Sequence, residues 1–120
     1  MSAAVRAVER YVLEIYNAGR VDLVREICAD PVVRHDPGAP ARRTAMSHDE
    51  QVDRITRDLA THDPQFTIVH LVGDDEIASL TWEATRRTTG DRLCGIEIFR
   101  VRDGRVTDVW NAPYAEGAWS

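Results

Sequence analysis

Two acids in this chain occupy positions where a carboxylate either does chemistry or must be paid for. The first is Asp36 in "VVRHDPG", residues 32–38, which with His35 closes a short apolar run just before Pro37 and Gly38. A carboxylate at the end of a strand, stiffened by a proline behind it, can act as a general base; the same dipeptide can also simply begin a turn, a place aspartate favours. The second is Glu97 in "GIEIFRV", the lone acid of an otherwise apolar run. A permanently charged carboxylate is costly there unless it is paired, so Glu97 is neutral, or bridged to an arginine such as Arg34 or Arg86, or turned outward. Further candidates are less distinctive. His35 points away from Asp36 unless the strand bends at Pro37, because neighbours on a strand face opposite ways. His70 in "TIVHLV" shares a strand face with Phe66, Ile68 and Val72, and reads as a hydrogen-bonded core histidine or a ligand-facing group. Tyr16 lies on the apolar face of a helix, where its hydroxyl either reaches the interior of the fold or is satisfied in packing.

What is missing narrows the chemistry. All 15 basic residues are arginine, so no lysine is present to form a Schiff base or hold pyridoxal phosphate. There is no GxSxG, GxGxxG or Walker loop, and the four histidines lack metal-ligand spacing such as HExxH, so neither a metal nor a cofactor is expected. Cys28 and Cys94 lie in apolar surroundings without a CxxC spacing, which predicts reduced core thiols. A net charge of −5 without a strong basic cluster argues against nucleic acid. No apolar run approaches the roughly 20 residues needed to span a bilayer, and the N-terminus reads as a helix rather than a signal peptide; a cytoplasmic location is the expectation.

The elements that must position these groups fit one domain over residues 1–120. Val5, Val8, Val12, Ile15 and Tyr16 have the three-four spacing of a helix face, and Gly19 ends that helix. Asp22 is expected to cap a short second helix reaching about Cys28. "PVVRHDP" predicts a brief strand, "GAPARRTAM" a loop, and "SHDE" a capping box opening a third helix that stops at "THDP". Four runs rich in β-branched and aromatic residues follow, separated by "GDD", "TTGD" and "DGR", and predict an antiparallel meander. The class is α+β, with three N-terminal helices covering one face of a curved sheet. Tyr114 and Trp119 in the tail are expected to pack on this domain or on a partner.

This order of elements resembles the nuclear-transport-factor-2-like fold, a cone of sheet closed by helices around a pocket. "HLVGDDEIASLTWEATRRTTG" followed by "GIEIFRVRDGRVTDVWN" resembles the SnoaL-like polyketide cyclases, and "RYVLEIYNAGRVDLVREICADPVVRHDPG" the opening of bacterial ketosteroid isomerases. The resemblance implies that Asp36 is the base that moves a proton between carbons. It also implies that Glu97 stands where the isomerases keep a protonated acid to hydrogen-bond an oxyanion. A tyrosine of the first helix assists in those enzymes, but here Val12 falls nearest that position, with Tyr11 and Tyr16 on either side. In the cyclases an acid follows a tryptophan on the last strand; "DVWN" offers Asn111, and an amide cannot take a proton.

The expected protein is a homodimer that binds an apolar carbonyl compound, such as a steroid or polyketide, and works by general acid/base chemistry without a cofactor. Its catalytic set is Asp36, Glu97 and Tyr16. Leu80, Trp82, Phe99 and Val109 form the pocket walls, with His35, His70 and Asn111 as further substrate contacts. A cyclase or dehydratase, and a non-catalytic ligand-binding domain, are the rival expectations.

Overall fold

The computed structural model describes residues 1–38, 40–112 and 114–119. Ala39, Pro113 and Ser120, which belong to the expected loop and tail, lie outside the described residues. Helix α1, Ala3–Arg10, begins at Ser2, whose hydroxyl accepts from Val5 N, and continues as a π-helix over Tyr11–Asn17. Gly19, at φ 72°, then turns the chain. The second helix falls where expected but is not uniform: a tight turn, Val21–Leu23, leads into α2, Val24–Ile27, and Asp22 provides no side-chain cap. Strand β1 spans Cys28–His35, and β2, Arg43–Met46, lies within the segment expected to be loop. The capping box is present as expected, Ser47 accepting from Glu50 N and Glu50 from Ser47 N, at the start of α3, His48–His62.

The meander follows as β3 (Pro64–Gly73), β4 (Ile77–Arg86), β5 (Arg92–Arg102) and β6 (Arg105–Asn111), with a two-residue β7 at Ala115–Glu116. The sheet runs β2-β1-β6-β5-β4-β3, with β7 on β5, so β2 and β3 are its unjoined edges. Every pairing is antiparallel except β1 with β6, which is parallel and joins the two halves of the chain.

Strand alternation decides what faces the helices. On β4 it is Ala78, Leu80, Trp82 and Ala84, all buried. On β5 it is the odd residues, Leu93 through Val101. Phe99, Val101, Val106 and Val109 of the sheet meet Val8, Ile15, Val24 and Ile27 of the helices in one core. Gly95 permits one close approach: a Cβ there would sit 2.5 Å from the Trp82 ring, so the indole lies across β5 only because this residue has no side chain. The tail packs on its own domain. Trp119 donates its ring N–H to Trp82 O at 3.0 Å and its backbone N–H to Glu83 at 2.8 Å. Cys28 and Cys94 are free and buried, and burial pushes the Cys28 thiol up to about 12.

Candidate active site

A cavity of about 250 Å³ opens between the helices and the concave face. Three segments build it. The first helix contributes Tyr11, Val12 and Tyr16. In an α-helix, residues five apart diverge, but the wider π turn brings them together, and the two tyrosine rings meet with centroids 5.5 Å apart. Asn17 fixes this end of the helix to β3 by two hydrogen bonds with the backbone of Phe66, at 2.8 and 2.9 Å. Phe66 in turn stands edge-on to Tyr16 and to Trp82. The second segment is α3, which presents Arg54, Asp58 and His62 at one-turn intervals. The third is the sheet, with Arg34, Leu80, Trp82, Ala84, Leu93, Glu97, Phe99 and Asn111. Tyr114 stands at the rim, held by a 3.2 Å hydrogen bond from Arg86.

Glu97 is therefore on the concave face, in the row with Leu93 and Phe99. Burial pushes its carboxyl above the ordinary glutamate range; Arg34, Arg54 and the Trp82 ring N–H pull it back in part, and Asp36 pushes it up further. The Trp82 Nε1 is itself buried without a full hydrogen bond. Burial likewise raises Tyr11 and Tyr16, so both stay protonated donors. Arg54 donates to Tyr16 Oη at 3.4 Å, which leaves the tyrosine proton free for another acceptor.

Asp36 lies beside the cavity rather than in its wall. Its Oδ1 accepts from Asn111 Nδ2 at 3.2 Å, and its Oδ2 lies 3.4 Å from Arg34 Nε. Asp36 lies just past the end of β1, two residues after Arg34, and holds two groups that do line the cavity. Of the other expected contacts, Tyr16, Leu80, Trp82, Phe99 and Asn111 are wall residues. Val109 is not: it is buried in the core and borders a separate small gap under α3. His35 faces the outer side, stacked on Trp110 with centroids 4.6 Å apart and 3.0 Å from Asp108 Oδ2. The expected face of His70 needs correction. A bulge after Ile68 shifts the register, so that Ile68 pairs with Trp82 but His70 with Thr81, and His70 turns outward and is exposed.

Sequence reasoning named Tyr11 only as a neighbour of the family's tyrosine position, and passed over Arg54, Asp58 and His62. The last three were legible as an i, i+4, i+8 row on the predicted third helix. Among the described residues no group of three or more candidate metal ligands occurs, and no helix is long and apolar enough to cross a membrane.

The raised Glu97 carboxyl has a consequence for stability. Between the ordinary glutamate range, about 4.3, and the raised value, the folded protein holds this proton more tightly than the unfolded chain does. Stability falls with rising pH through that window, and the loss is absent below it. Glu97→Gln cannot ionise, so thermal unfolding from about pH 4 to about pH 8 should show the variant gaining on the wild type as pH rises. Parallel profiles would show that burial does not disfavour the Glu97 charge.

The model of the SnoaL-like domain matches residues 8–109. No curated protein matches the chain in sequence. Among solved structures, a provisionally assigned polyketide cyclase from Acidithiobacillus ferrooxidans superposes with a TM-score of 0.78 at 21% identity, over 91% of this chain and 86% of that one. A provisionally assigned ketosteroid isomerase from Kribbella flavida gives 0.79 at 19% identity, over 98% and 82%. An epoxide hydrolase from M. tuberculosis gives 0.75 at 19% identity, over 94% and 83%. At these identities the structural likeness speaks for the fold, which is nuclear-transport-factor-2-like; the match across residues 8–109 speaks for the family, and the chain belongs to the SnoaL-like domain family.

Proposed function

We propose that this protein is a small-molecule enzyme that moves a proton at a carbon next to a carbonyl, with Glu97 as the proton-transfer group. The observation that carries the reading is a carboxyl inside a cavity with an apolar wall, whose affinity for a proton burial has raised and which Trp82, Arg34 and Arg54 face. A raised carboxyl is a stronger base for carbon acids. The enolate oxygen that develops would be met by the Tyr16 hydroxyl, polarised by Arg54, with Tyr11 nearby. Asp36, with both oxygens engaged, would orient Arg34 and Asn111 rather than take the proton.

The cavity volume, about 250 Å³, lies just under the roughly 300–1,000 Å³ usual for small-molecule sites, which favours a one- or two-ring compound over a tetracyclic one. The test is exchange of the hydrogens beside the carbonyl of aryl ketones in deuterated water, followed by proton NMR. Exchange faster than buffer alone is expected; ketones that bind without exchanging would favour a ligand-binding domain.

The proposal extends to assembly. Ile96 and Ile98 on the outer face are 47% and 41% exposed, beside Trp110, and a two-fold pairing of sheets would cover them. Sedimentation should show a dimer at micromolar concentration, and a stable monomer there would remove the idea.

A further inference from the structure

The cavity is chemically two-sided. Leu80, Trp82 and Ala84 of β4, with Leu93 and Phe99 of β5, make an apolar wall, whereas Arg54 of α3, Arg34 of β1 and Arg86 at the end of β4 bring cationic charge. The three arginines are not equivalent: Arg86 is turned to the rim, where it donates to the exposed Tyr114 hydroxyl at 3.2 Å. Arg34 has its counter-charge, since its Nε lies 3.4 Å from Asp36 Oδ2. Arg54 is half-buried, and among the described residues its side chain has a single hydrogen bond, 3.4 Å to the neutral oxygen of Tyr16, and no carboxylate within ion-pair distance. Glu97 and Asp58 act on it only from farther away. Guanidinium presents a planar fork of donors that matches a carboxylate, and withdrawing such a charge from water without a counter-charge is unfavourable. Arg54 also borders the shallow surface hollow made with Arg57, Asp58, Thr61 and His62, so it stands between the cavity and solvent.

We propose that the substrate is an amphipathic acid: a cyclic carbonyl compound whose carboxylate docks on Arg54 while its ring lies on the β4–β5 wall. The proposal deepens the proton-transfer reading by naming the substrate class, and it rests on that reading only for the carbonyl. Docking the acid at one end of the cavity leaves the Tyr16 hydroxyl, hydrogen-bonded to the same guanidinium, to meet the carbonyl oxygen. Arg54 thus acts as a specificity residue through the carboxylate and as a positioning residue through Tyr16.

The experiment is calorimetric titration of benzoylpropionate and its isosteric amide, benzoylpropionamide, into the wild type and into Arg54→Gln, Arg54→Lys and Glu97→Gln. The wild type should bind the acid about 10- to 100-fold more tightly than the amide, the worth of a charge-assisted hydrogen bond. Arg54→Gln should abolish that preference while holding amide affinity within about threefold, and Arg54→Lys should keep part of it. Glu97→Gln should retain the preference in full, so that a failed base assignment and a failed acid site give different results. Equal affinity for acid and amide in the wild type overturns the proposal, and that comparison stands even if Arg54→Gln does not fold. An acid preference that survives in folded Arg54→Gln also overturns it, moving the carboxylate to another arginine.

Discussion

Glu97→Gln is expected to slow exchange beside the carbonyl by roughly 10²- to 10⁴-fold, the range that a positioned proton-transfer group contributes. Glutamine keeps the shape of the side chain and removes its capacity to accept a proton. The cavity's apolar wall remains, so ketone binding should change little. Asp36→Asn provides the contrast. It breaks the ion pair with Arg34 at 3.4 Å and leaves the amide of Asn111 facing another amide, yet removes nothing from the cavity wall. A partly exposed ion pair is worth about 0.2–1 kcal/mol, so the rate should fall no more than about fivefold. Exchange rates by proton NMR under saturating ketone would separate the two acids. If Asp36→Asn causes the large loss and Glu97→Gln the small one, the base is Asp36 at the strand end and Glu97 is its oxyanion partner.

Phe99→Ala should cost about 3–5 kcal/mol of folding stability. Phe99 is 1% exposed, it stands edge-on to Tyr11 at 5.8 Å, and its strand is hydrogen-bonded on both sides, so the surrounding backbone has little freedom to collapse into the space left. Because the ring is shared between core and cavity, the same change should enlarge the site and weaken binding of compact ketones. Urea unfolding measures the first effect. A cost under about 1 kcal/mol would mean that the π-helical segment shifts to refill the volume.

The capping box at Ser47, the turn chemistry at "GDD", "TTGD" and "DGR", and the alternation along β4 and β5 are local signals, and each was readable because the residues that cause the structure are adjacent in the chain. Those elements put Glu97, Leu80 and Trp82 on the face that lines the cavity. The failures share a cause of the opposite kind. The π turn at Tyr11–Asn17 changes the helical period, so a 3.6-residue reading credits Tyr16 and loses Tyr11. The bulge after Ile68 changes the strand period in the same way and inverts His70. Strand β2 carries no apolar alternation because it is an edge paired only with β1, and its exposed residues read as loop. Arg54 illustrates a further limit: a lone arginine on a polar helical row looks like surface until the fold wraps a cavity around it.

The parallel pairing of β1 with β6 also determines when the protein can become itself. The pairs that make the meander, β3 with β4, β4 with β5 and β5 with β6, join segments linked by short turns and close at small entropic cost. Val33 must instead find Asp108, and Arg34 must find Val109, across most of the chain. Contacts of such separation form slowly. On the ribosome the helices, β1 and β2 emerge first, yet β1, paired with β2, has no neighbour on its other side until β6 has been made and the meander folded. During that interval the apolar side of β1 and the helices above it are uncovered, which makes the first third of the chain the part most dependent on chaperones and most exposed to aggregation.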